Sequence, residues 1–142
     1  MQFNFLLKML ASVGFVGFFA GSNLQAAELL IGRLGSLKSP IASPSTIGAS
    51  EGFDLYLKRI NDAGGVNGQK LRVIFRDDEF KPAAVVTSAR ELIENDKVLA
   101  LVSPQGTPGT AGLIKDGLLT DAQTAVVGPF TGDAKVLSGA NV

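Results

Sequence analysis

Val98-Leu99-Ala100-Leu101-Val102, followed by Ser103-Pro104-Gln105-Gly106-Thr107-Pro108-Gly109-Thr110, decides how this chain folds. A run that is apolar at every position reads as a strand covered on both faces, as in the interior of a parallel sheet. The Gly- and Pro-containing stretch after it is a loop. It leads into a helix marked by Leu113, Ile114, Gly117 and Leu118.

Working outward, the same alternation recurs. Upstream, Pro82 suits the first turn of a helix because its missing N–H has no intrahelical partner there. Val85, Val86, Ala89, Leu92 and Ile93 give that helix one apolar stripe. Before it lie a charged loop at Asp77–Lys81 and a strand at Leu71-Arg72-Val73-Ile74-Phe75. Earlier still, Ile47, Phe53, Tyr56, Leu57 and Ile60 recur at helical intervals from Thr46 onward. Gly64-Gly65 stops that helix, and Val66-Asn67-Gly68-Gln69 turns the chain. Leu29 to Leu34 supplies a first strand, the Gly-, Ser- and Pro-rich stretch Gly35–Ser45 a loop, and Thr124–Val127 a fourth strand. The order β-α-β-α-β-α-β with short connections predicts an α/β fold, a parallel β-sheet with helices on both faces. Its crossovers are expected to be right-handed. The fourth strand is expected to form a sheet edge, which makes the domain marginal and prone to aggregation.

Residues 1–26 read as a signal peptide. Lys8 is the only charge before Glu28, and Met9–Ala20 is an uninterrupted run of apolar and small residues. That run has the length of a signal-peptide core and falls short of the roughly 20 residues a membrane span needs. Leu24-Gln25-Ala26 places cleavage after Ala26; an uncleaved anchor is the alternative. Residues 27–142 then form the exported domain, and the bacterial periplasm is the compartment expected for it. With no cysteine, neither a disulfide nor an N-terminal lipid can form there.

Composition narrows the chemistry. The 142 residues include 13 basic and 13 acidic side chains and no histidine, cysteine or tryptophan. Zinc fingers, thiol nucleophiles and histidine bases are thereby excluded, and no basic block offers a nucleic-acid footprint. Gly48-Ala49-Ser50-Glu51-Gly52 matches G-x-S-x-G, but it lies inside a helical segment and has no histidine partner, so the chain reads as no enzyme. Ala49 and Gly52 are expected instead to allow close helix–sheet packing. Asp77-Asp78-Glu79 is expected to be a solvated loop, since three adjacent carboxylates cannot converge on one ion, and no metal or cofactor is expected. No Gly-rich dinucleotide or triphosphate loop follows a strand.

Two loops remain. Ligands of open parallel sheets bind at the carboxyl ends of strands. The stretch from Ser103 to Thr110 has glycines that permit close backbone approach, hydroxyls at Thr107 and Thr110, and a helix N-terminus suited to a carboxylate. Ordinary capping by Thr107 or Thr110 is the alternative, and spacing does not choose between them. Gly128-Pro129-Phe130-Thr131-Gly132 lies at the same edge, with Phe130 as either a ligand wall or a plug over the core.

The segment Ile60-Asn61-Asp62-Ala63-Gly64-Gly65-Val66-Asn67-Gly68-Gln69-Lys70-Leu71 resembles the IN-x-x-GG-[IV]-x-G-[RK] signature of type I periplasmic solute-binding proteins, the leucine/isoleucine/valine-binding family of ABC importers. Asp77-Asp78, Pro82, Leu92-Ile93, Lys97-Val98, Gly106-Thr107-Pro108 and Gly128–Gly132 keep the family's order. The resemblance implies a two-lobed protein that closes on a small polar solute, such as an amino acid or related amide, and delivers it to an ABC permease in the inner membrane. It also implies a monomer when full length. Residues 27–142 correspond to the N-terminal part of lobe 1, and the chain reads as a fragment. Carried over, Gln105, Gly106, Thr107 and Thr110 supply contacts from one loop, and Phe130 and Thr131 from the other. Lys38-Ser39 stands where the family usually shows Thr-Gly, and Gly109 replaces a bulkier polar residue. An extracytoplasmic sensing domain of the same fold is the alternative function.

Overall fold

The computed structural model describes residues 27–138, so the leader read over residues 1–26 lies outside the described residues. Four strands, β1 (Leu29–Gly35), β2 (Leu71–Asp77), β3 (Ala100–Val102) and β4 (Ala125–Val127), form one sheet in the order β2-β1-β3-β4. All three pairings are parallel, with Leu29 beside Leu71, Ile31 beside Ala100 and Ala100 beside Ala125. The helices are α1 (Ser43–Asp62), α2 (Pro82–Arg90), α3 (Thr107–Asp116), α4 (Leu118–Asp121) and α5 (Ala134–Leu137). From β1 the chain moves one way to β2, then returns past β1 to β3. Crossovers of one hand that reverse direction place their helices on opposite faces.

Strand alternation shows which face is which. On β1, Leu30 and Leu34 pack into the core built by α2 and α3, and Gly32 sits against Leu92, Val98 and Leu101. Arg33 and Gly35 point the other way, toward Phe53, Thr46 and Phe75. The core comprises Leu34, Val85, Ala89, Leu92, Leu101, Leu113, Leu119 and Val126 with their neighbours. Burying each of the larger members contributes about 1.5–3 kcal/mol. Past Arg90 the helix widens into a π turn over Glu91–Asn95, which leaves both Leu92 and Ile93 buried. Arg76 of β2 ties that turn to the sheet through Asp96 at 2.7 Å and Glu91 at 3.6 Å.

The structure corrects several expectations. The buried side of α1 runs Thr46, Ser50, Phe53, Leu57, Ile60, a continuous helical stripe whose first two members are polar. Ile47 and Tyr56 lie off that stripe and stay 48% and 62% exposed. Gly52 is not a packing glycine, since an added Cβ would meet nothing within 4 Å, and Ala49 is exposed. In the run 98–102 only the last three residues form strand, and Leu99 is exposed. On β4, Val126 enters the core while Ala125 and Val127 lie open. Gly117, at φ 82°, divides the third helical segment into α3 and α4. The short α5, started by the Asp133 side chain accepting from Lys135 N–H, has no apolar period to announce it.

The loop after α1 shows why two glycines are needed. Val66 and Gln69 close a small antiparallel bridge, and Gly65 sits at φ 80° with the position of a Cβ only 2.0 Å from the Gln69 carbonyl oxygen. Asn61 locks the turn to β2, accepting from Leu71 N–H and donating to Leu71 C=O, both at 2.8 Å.

Candidate functional site

The carboxyl ends of β3 and β4 continue into two loops that remain laced together. Ser103 N–H donates to Val127 C=O at 3.0 Å, Gly106 N–H to Phe130 C=O at 3.0 Å, and Phe130 N–H to Pro104 C=O at 2.9 Å. This extension of the ladder brings Thr107 and Thr131 together, with their hydroxyl oxygens 2.8 Å apart. Thr131 Oγ1 also accepts from Asp133 N–H. Gly106, at φ 87°, turns the chain into α3, whose first-turn N–H groups have no intrahelical acceptor. No side chain caps that helix, so the capping alternative does not describe Thr107 or Thr110.

A cleft of about 150 Å³ opens at this edge, bordered by Ser45, Phe80, Gln105, Thr107, Phe130 and Thr131. No charged side chain lines it. A larger opening, about 280 Å³, lies on the α1 face beside Arg33, Ser50 and Asp54. There the buried Arg33 guanidinium lies 5.5 Å from the Phe75 ring centre and 6.0 Å from that of Phe53, and it donates to Thr46 C=O. Burial lowers its pKa, against the opposing charge of Asp54. The smaller cleft is the better candidate, because it lies at the strand ends where two loops and a helix N-terminus converge.

The expected residues divide into two groups. Thr107, Thr131, Gly106 and Phe130 border the cleft together. Phe130 is 68% exposed, so it does not plug the core. Gln105 also borders it, yet its amide is engaged: Thr46 Oγ1 donates to Oε1 at 3.0 Å, and Nε2 donates to Ser45 Oγ at 3.3 Å. Its geometry is that of a brace between α1 and the loop. Thr110 does not reach the cleft. It is fully buried, and its hydroxyl donates to Gly106 C=O one turn back.

Phe80 was not foreseen, and it forms the wall facing α1 and Gly106. Its ring lies 3.1 Å from where a Gly106 Cβ would stand. Glu79 and Phe80 adopt φ 51° and 58°, a left-handed backbone that costs a bulky residue about 1–2 kcal/mol. The acidic loop holds them there: Asp77 Oδ1 accepts from Glu79 N–H, and Asp78 Oδ1 from Phe80 N–H at 2.8 Å. Glu79 is gripped by Lys81 at 2.6 Å and Lys38 at 2.9 Å, which lowers its pKa to about 2. Asp78, expected to be solvated, is fully buried, and its Oδ2 has no hydrogen-bond partner among the described residues. Burial pushes its pKa up. The available signal was one aromatic in an otherwise charged loop at a strand end.

A parallel sheet with a small cleft at its strand ends, walled by two loops, is the arrangement in which open α/β folds place their ligand sites. The model of the family described as "Periplasmic binding protein" matches residues 28–141, and the chain belongs to that family. It is 28% identical over 126 residues to the Leu/Ile/Val-binding protein homolog 3 of Brucella melitensis, covering 89% of this chain and 33% of that protein. The substrate-binding periplasmic protein of Ralstonia solanacearum shares the fold at a TM-score of 0.73 and 30% identity, over 80% of this chain and 31% of that one. The branched-chain amino acid transporter substrate-binding protein of Streptococcus pneumoniae, solved with isoleucine, shares it at a TM-score of 0.69 and 22% identity, over 77% and 30%. The chain thus spans about a third of the length of these relatives.

Proposed function

We propose that this chain supplies first-lobe contacts for the solute-binding component of an ABC importer, capturing a small solute in the periplasm for a permease in the inner membrane. The observation that carries the reading is the Thr107–Thr131 hydroxyl pair at the mouth of α3. Hydroxyls and helix-terminal N–H groups together suit a carboxylate, because both donate to it and the helix dipole favours its charge. A solute such as an amino acid or amide sits there with its remaining groups met by a second lobe. No nucleophile–base pair accompanies the site, which supports a binder over an enzyme. The same reading makes residues 1–26 the export signal and the full-length protein a monomer.

The affinity expected of the chain alone follows from dividing the contacts. A micromolar solute-binding protein gains about 8 kcal/mol, and half of that corresponds to a millimolar dissociation constant. NMR titration of the purified chain with amino acids is expected to shift Thr107 and Thr131 signals with millimolar midpoints, and Thr107→Val or Thr131→Val to weaken the effect. Solutes that leave both threonines unmoved would refute the site. Low-micromolar binding by calorimetry would refute the division between lobes.

A further inference from the structure

We infer that the opening on the α1 face is a second binding site, separate from the strand-end cleft, where Arg33 holds the carboxylate of a small aliphatic acid. The inference does not depend on the solute reading above, and the two openings share no bordering residue.

Arg33 is a costly residue for its position. β1 is a central strand, and in register Arg33 lies between Phe75 of β2 and Val102 of β3. The residue is only 4% exposed. A guanidinium stays protonated and carries five N–H donors. Among the described residues one acceptor meets them, the Thr46 carbonyl at 3.1 Å. The Phe53 and Phe75 rings attract the cation through their π faces, a weaker partner than a carboxylate. Asp54 acts on it only through space, since no ion pair joins the two among the described residues. A buried charge is tolerated when an opposite charge and hydrogen bonds meet it, and here the direct counter-charge is lacking.

The free donors face the opening. Among the described residues, the one fully enclosed side-chain polar atom without a partner is Asp78 Oδ2, so the unengaged Arg33 N–H groups are reached from the opening that Arg33 borders. That opening is about 280 Å³, and Leu37, Val73 and Phe75 give it apolar walls. Ser50 also borders it, but its hydroxyl is spent on the Thr46 carbonyl at 2.6 Å. A carboxylate matches the planar fork of a guanidinium, and an aliphatic body matches the walls. Asp54, exposed at the rim, repels anions and so disfavours a doubly charged one. The site lies over β1 and β2, and the chain that follows β4 leaves from the other edge of the sheet.

The test is an NMR titration of the chain with butyrate, with butyramide, which has the same shape without the charge, and with butylammonium. It is read at the Arg33 Nε–H and Phe75 ring signals. Butyrate is expected to bind about tenfold tighter than butyramide, the margin of a charge-assisted over a neutral hydrogen bond, and butylammonium not to bind. Arg33→Met, matched in bulk and uncharged, is expected to abolish that margin. Asp54→Asn, at an exposed position, is expected to tighten butyrate about 2–4-fold by removing a screened like charge, and it keeps the test decisive if Arg33→Met does not fold. No shift at Arg33 or Phe75, equal affinity for butyrate and butyramide, or an undiminished margin in Arg33→Met would each overturn the inference. So would butyrate binding that is weaker or unchanged in Asp54→Asn. Butyrate shifts confined to Thr107 and Thr131 would assign the acid to the strand-end cleft and remove this site. Shifts at Arg33 with both threonines unmoved would support it, whatever becomes of the strand-end reading.

Discussion

Replacing Asp78 by asparagine is expected to stabilise the chain at neutral pH. Asp78 is fully buried, its Oδ1 accepts from Phe80 N–H at 2.8 Å, and its Oδ2 has no partner among the described residues. Burial is the main reason its pKa is raised; the Asp77 charge adds to the effect, and the Phe80 N–H opposes it. For an acid with a raised folded pKa, stability is greatest below the unfolded pKa of about 3.9 and declines as pH rises through the folded value. The penalty therefore grows as pH rises from the unfolded value through the folded one. The amide keeps an acceptor for Phe80 and removes the charge. A buried polar group lacking a partner costs about 1–3 kcal/mol, and the amide retains part of that, leaving a net gain of about 1 kcal/mol. With a urea slope of about 1–1.5 kcal/mol/M, the unfolding midpoint should rise by about 0.7–1 M at pH 7 and the difference should close near pH 3. Asp78→Ala, which also removes the acceptor, is expected to lose about 1–2 kcal/mol. Far-UV circular dichroism in urea at both pH values reads all of this. A lower midpoint for Asp78→Asn at pH 7, unchanged at pH 3, would mean that the carboxylate is favourably engaged and the reasoning is wrong.

Other positions yield sharper signs. Gly65→Ala places a Cβ 2.0 Å from the Gln69 carbonyl at φ 80°, so it should destabilise by about 2 kcal/mol or more in a thermal melt; a change within about 0.5 kcal/mol would contradict the turn geometry. Leu101→Ala empties a fully buried position and should cost about 2–5 kcal/mol in urea, a large share of the total for a domain of this size. The Glu79 carboxyl should titrate near 2 by carbon-detected NMR, and Lys81→Ala should move it up further than Lys38→Ala, because the Lys81 hydrogen bond is the leading cause. A depressed acid stabilises the loop above its unfolded pKa and stops doing so as pH falls toward 2.

The alternation of strand and helix was legible because the core-facing stripes of α2 and α3 are carried largely by apolar residues at a clean period. Pro82 and Gly64-Gly65 marked ends for backbone reasons that hold regardless of tertiary context. The face of α1 was misread because its buried stripe opens with Thr46 and Ser50, whose hydroxyls are hydrogen-bonded, to Gln105 Oε1 and Thr46 C=O respectively, while facing inward. The pairing of Thr107 with Thr131 was legible only as a shared sheet edge. The contact itself depends on a bridge between Gln105 and Phe130 that joins residues distant in sequence. Thr110 and Gln105 show the converse: hydrogen-bonding side chains near a site are often spent on the scaffold, and sequence does not say which way they turn. Phe80 escaped notice because its placement depends on a left-handed turn at non-glycine residues, which local propensity argues against.

The floor of the cleft has a consequence for how such a protein diversifies. Gly106 combines a φ of 87° with a neighbouring ring 3.1 Å from where a Cβ would stand, so a side chain there is strained by the backbone and would have to press the Phe80 ring aside. Mutational drift or a combinatorial library is thus discouraged at that position and is left the flanking rings to vary. Variation in taste at constant architecture should accordingly accumulate at Phe80 and Phe130, while the glycine persists as an invariant pivot between them.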